Sequence, residues 1–107
     1  MAQQNATIAD GATDSNDIPL DGAVAGCFQI PAAFDGTTIT VKISIDGVNY
    51  TEVVEEAGET NPITVATSGT YALPIKTFSG KYMQLVADAQ TADRTIPVTL
   101  RMRGCAP

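Results

Sequence analysis

The chain has 107 residues, 44% of them hydrophobic, with twelve acidic side chains against six basic ones, a net charge of −6 and no histidine. That length suits one domain around one core and excludes two, and the even spread of apolar residues excludes an intrinsically disordered chain or a membrane protein. The acidity disfavours nucleic acid and anionic membrane surfaces as partners.

In chain order, residues 1–22 read either as an acidic N-terminal arm or as the first short strands, with 6–9 and 17–20 as the candidates. The first five residues carry neither the positive charge nor the apolar stretch of a secretory signal. A body over 23–107 follows, all within one domain, beginning with a candidate strand at 23–30. Next, Ile39, Val41, Ile43 and Ile45 alternate with Thr38, Thr40, Lys42 and Ser44, the period-two pattern of a strand with one buried face. Weaker strands are expected at 49–55, 63–66, 71–75 and 81–88.

A second clear alternation closes the chain, where Ile96, Val98, Leu100 and Met102 interleave with Thr95, Pro97, Thr99, Arg101 and Arg103. Pro97 has no N–H to give a ladder, so an edge, a bulge or an unpaired end is expected there. Asp-Gly pairs at 10–11, 21–22, 35–36 and 46–47 supply the positive φ that tight turns need, and the last should join two strands as a hairpin. No convincing helix is present; 32–34 and 76–79 allow a helical turn at most, and Pro31 and Pro74 read as strand stops. Short antiparallel strands at this rhythm form a sandwich or a barrel.

Chemistry is thin. The absence of histidine removes the commonest general base and zinc ligand, and Glu55 and Glu56 point to opposite faces of a strand. Cys27 and Cys105 lack metal-site spacing and are expected as reduced thiols, with a disulfide between them, closing a loop of nearly the whole domain, as the alternative. Asp14, Asn16 and Asp17 are rich in oxygen but lack the glycine and terminal glutamate of an EF-hand loop, so turn chemistry is their expected role. Gly22 and Gly26 lack the rest of a nucleotide-binding pattern, and Tyr50 and Tyr82 are the available sugar-stacking rings, edge cover being their ordinary role. The expectation is a protein that is not an enzyme, with no cofactor and no metal. Charge asymmetry nominates contact positions: Asp10, Asp14 and Asp17 in an opening segment without Lys or Arg, and Arg101 and Arg103 on the last strand.

Four phrases carry a resemblance: "ATIADGATDSNDIPL" at 6–20, "QIPAAFDGTTITVKISIDGVNYTEV" at 29–53, "ALPIKTFSGKYMQLVA" at 72–87 and "RTIPVTLRMRG" at 94–104. In this order they resemble a family of small structural proteins of tailed bacteriophages, while residues 55–62 and the tail 104–107 depart from its pattern. The resemblance implies an all-β fold, an antiparallel, jelly-roll-like β-sandwich of seven to nine short strands. It also implies a decoration or cement protein on the outside of the capsid, made in the host cytoplasm, with the major capsid protein as partner. Many copies in a symmetric homo-oligomer, trimers favoured, go with that reading. A carbohydrate- or receptor-binding module of a tail fibre or spike is the alternative; a head-tail junction protein is a third reading that sequence does not separate from the first.

Overall fold

A computed structural model of the chain describes residues 2–53 and 62–102. It is a sandwich of two antiparallel sheets. Sheet 1 has the order β1 (Ala2–Ile8), β9 (Arg94–Met102), β3 (Ala23–Gln29) and β7 (Thr70–Ala72). Sheet 2 has the order β2 (Ile18–Pro19), β8 (Tyr82–Val86), β4 (Thr38–Ser44) and β5 (Thr51–Glu52), with β6 (Ile63–Thr64) also on β4. Every connection outside β4–β5–β6 crosses between the sheets, which is jelly-roll topology.

β5 and β6 are two pieces of one edge. The Val53 N–H donates to the Val41 carbonyl at 3.0 Å, and the Val65 N–H donates to the Thr37 carbonyl at 2.8 Å. Thr37 and Val41 are an even number of residues apart, so their backbone groups point to the same side of β4.

Alternation builds the core. Ala6 and Ile8, Phe28 and Ile30, Ile39 and Val41, Met83 and Leu85, and Ile96, Val98 and Leu100 face inward and are all but fully buried. Each of these fully buried side chains other than Ala6 contributes about 1.5–3 kcal/mol relative to exposure. Gly26 serves this packing, since a Cβ there would lie 2.9 Å from the Thr99 carbonyl oxygen and 3.0 Å from the Leu73 side chain.

The structure differs from the sequence reading in several places. Of the two readings of the opening segment the structure has the strands, but β1 starts at Ala2, ahead of the expected 6–9, and pairs with β9 along its whole length, from Ala2 opposite Leu100 to Ile8 opposite Arg94. The strand expected to include Ile45 stops at Ser44, and Ile45 is 77% exposed. The cause is local: the Ser44 hydroxyl accepts the N–H groups of Asp46 and Gly47 and donates to the Asp46 carboxylate, turning the chain out of the sheet. The Asp46-Gly47 hairpin is present, with a longer loop than a two-residue turn; Ile43 faces Thr51. The expected strand at 71–75 ends at Ala72, and Ile75–Ser79 forms a 3-10 turn after Pro74.

Pro97 lies in an interior strand, not on an edge. The β9–β3 ladder runs from Met102 to Val98 and ends just before it, so the missing N–H falls where no backbone acceptor stands opposite in that ladder. All four Asp-Gly glycines have positive φ, between 78° and 106°. At Asp21-Gly22 both residues do, with φ 49° and 78°.

Candidate docking surfaces

Sheet 1 is the chemically distinctive side of the molecule. Its four strands contain no aspartate or glutamate. Period-two geometry turns Gln3, Asn5 and Thr7 of β1, Thr95, Pro97 and Thr99 of β9, and Cys27 and Gln29 of β3 to the outer face. Among the described residues Arg101 is the one charged side chain exposed on that face. Where β3 peels away at Ile30 and Pro31, a cleft of about 270 Å³ opens against Pro97, walled by Gln29, Ser68 and Thr95.

The acidic residues lie elsewhere. At one end of the sandwich the buried Gln90 ties the loops together, accepting the Asp35 N–H at 3.0 Å and donating to the Asp35 and Asp88 carbonyls at 2.8 and 2.7 Å. The Gln90 backbone bonds Gly11 and Ala12 of the first loop. The Asp35 carboxylate accepts the Thr91 N–H at 3.0 Å and its hydroxyl at 2.9 Å, and pairs with Arg94 at 3.3 Å; the Thr91 bonds foremost, then Arg94, hold its pKa below the ordinary value.

At the other end Asp46 accepts N–H groups from Asn49 and Val48 and the Ser44 hydroxyl, which keep its carboxyl far below the usual carboxylate range. Both carboxyls therefore bind protons less readily folded than unfolded. Their stabilisation is full above the ordinary value of 3.8 and is lost as pH falls through the lowered values. The melting temperature should fall on acidification below about pH 4, and Asp46→Asn should flatten that fall. A thermal melt series of both proteins measures this; parallel curves would refute it.

On the outer face of sheet 2 the Tyr50 hydroxyl and the Gln84 amide both donate to one oxygen of Asp17 at 2.8 Å. Burial foremost, with the Asp17 hydrogen bond and charge, pushes the Tyr50 phenol well above its ordinary value. Tyr82 packs near Gly47 on the same face. The two tyrosines are half-buried among the hairpin residues, and Tyr50 has its hydroxyl engaged.

The sequence-nominated residues do not form one site. Asp10, exposed after β1, donates its N–H to Asp93 at 2.8 Å. Asp14 is exposed where the chain bridges to Val86 of β8, and Asp17, just ahead of β2, lies against Gln84 on the outer face of sheet 2. Arg101 stands on the opposite sheet, and Arg103 lies outside the described residues, as do Glu55, Glu56 and Cys105. No family model, curated protein or solved structure matches this chain.

Sequence reasoning passed over Gln3, Asn5 and Gln90. For the first two a signal exists, an uncharged opening run without proline or glycine; for Gln90, whose partners are backbone groups of distant loops, none does.

Proposed function

We propose that this chain is a virion structural protein that decorates and stabilises a phage capsid by binding the outside of the major capsid protein shell, with the outer face of sheet 1 as the docked side. One observation carries the reading beyond the sequence resemblance: a chain of net charge −6 keeps the whole of one sheet free of acidic residues. Interface cores are depleted of charge, whereas solvent-facing surfaces are not. The acidic loops and sheet 2 would then face solvent and keep neighbouring particles apart. Shallow contacts of this kind act collectively, since many copies on a repeating lattice gain avidity that one contact lacks. The glycan-binding alternative draws no support from Tyr50, whose hydroxyl is tied to Asp17.

The test is to count this chain against the shell protein in purified particles by quantitative mass spectrometry. A ratio near one to one is expected. Adding back Thr99→Glu or Arg101→Glu protein to stripped particles should lower occupancy about tenfold or more, equivalent to about 1.4 kcal/mol per tenfold step. Absence of the chain from particles overturns the reading, and full occupancy by both variants overturns sheet 1 as the docked side.

A further inference from the structure

We propose that the free edge of β1 pairs with the β1 edge of a second copy of this chain, antiparallel about a two-fold axis at Gln4, joining two four-stranded sheets into one of eight strands. The inference stands on the edge itself and does not depend on the capsid reading.

Both sheets have exposed edges, and three of the four are blunted as natural proteins blunt them. β7 is three residues long and soon meets Pro74, β2 is two residues including Pro19, and β5 and β6 break the last edge into pieces. β1 is different: seven residues, an unbroken register against β9, and no charge, proline or glycine. A long edge without these devices is a template for another strand.

The backbone fixes which groups are on offer. The Thr7 carbonyl accepts the Asn16 N–H at 3.2 Å and the Thr7 N–H donates to the Asn16 side-chain oxygen at 2.7 Å, so Thr7 points its backbone away from β9. By the alternation of an antiparallel ladder, Gln3 and Asn5 point the same way. Among the described residues no strand lies beyond them. Asn16 already occupies both groups of Thr7, so an incoming strand is confined to the Gln3–Asn5 stretch.

That confinement makes the edge self-complementary. With Gln4 opposite Gln4 of the second copy, Gln3 of each chain faces Asn5 of the other, and the four outward N–H and C=O groups of each are matched. Charge permits the pairing. Asp17 is the acidic residue beside the edge: it follows Asn16, which lies against Thr7, three positions or about 10 Å along the strand from the axis. The two copies' Asp17 residues lie on opposite sides of the axis, about 20 Å apart along the strands, beyond a screening length of about 8 Å at physiological salt. Antiparallel pairing also brings the acidic end of each copy toward the end of the partner's sheet that carries Arg101.

Sedimentation of the full chain over micromolar to millimolar concentration tests this. The average mass should rise from one chain, 11.1 kDa, toward two. Asn5→Pro should abolish the rise, because the N–H it removes points outward and the ladder to β9 keeps its bonds. In a background with both native cysteines changed to serine, Gln4→Cys should oxidise to a two-chain product at least about tenfold faster than Thr99→Cys. Opposed residues of a non-hydrogen-bonded pair lie within disulfide reach, about 4.5 Å between Cα atoms. A mass of one chain throughout, a plateau at three, or equal cross-linking of the two cysteine variants would overturn the proposal. If Asn5→Pro does not fold, the cross-linking comparison decides alone.

Discussion

Truncating Phe28 to alanine should lower the unfolding free energy by about 3–5 kcal/mol, the usual range for removing a buried phenylalanine. Phe28 is 1% exposed, sits on the inner face of β3 and packs its ring against Tyr71 with centroids 5.9 Å apart. Its neighbours belong to ladders on both sides, with Val98 opposite on β9 and Tyr71 opposite on β7, so little can collapse into the space left behind. Domains of this size have about 5–15 kcal/mol in total, and one substitution would take a large fraction of it. Urea unfolding should show a lower midpoint at unchanged slope. A loss below about 1 kcal/mol would mean that the interior relaxes around the missing ring, contrary to the packing described.

The second large effect is expected at Gln90, for polar reasons. Gln90→Leu keeps the volume but leaves the Asp35 N–H and the carbonyls of Asp35 and Asp88 without their partner. A buried group stripped of its hydrogen bond costs about 1–3 kcal/mol, and with water able to reach part of this end the net loss should be about 2–4 kcal/mol. Gln90→Glu retains the acceptor for the Asp35 N–H but loses the amide donor to both carbonyls, and should also be destabilised. Equal stability of Gln90→Leu and the parent chain would show that the loop end is held by other contacts, such as the Asp35–Arg94 pair.

Long alternating runs made the main strands legible, because burial of one face imposes the same period on sequence and structure. Ile39, Val41, Ile96, Val98 and Leu100 are all buried as that period requires. Ile45 broke the pattern because the next side chain, Asp46, captures the Ser44 hydroxyl and ends the strand, and hydropathy carries no trace of such a bond. β1 was hard to see for the opposite reason: Gln3, Gln4 and Asn5 have little strand propensity, and seven residues of pairing with β9 override it. The candidate contacts fared unevenly because charge was read along the chain. In space Asp17 and Arg101 stand on opposite sheets, whereas the acid-free face is assembled from four separated segments, none of which looks unusual alone.

The position of β9 bears on how the chain comes to fold. Among the strands of the described residues it is the last to be synthesised, yet it lies inside sheet 1, between β1 and β3. Until it emerges, β1 has no ladder partner in that sheet, and Ala2 must wait for Leu100. Folding is therefore governed by closure of very distant segments, which places it among topologies that take milliseconds to seconds to form. A nascent chain stalled before Arg94 would hold one half of the sandwich open, with the inner faces of β1 and β3 exposed to whatever chaperone is near.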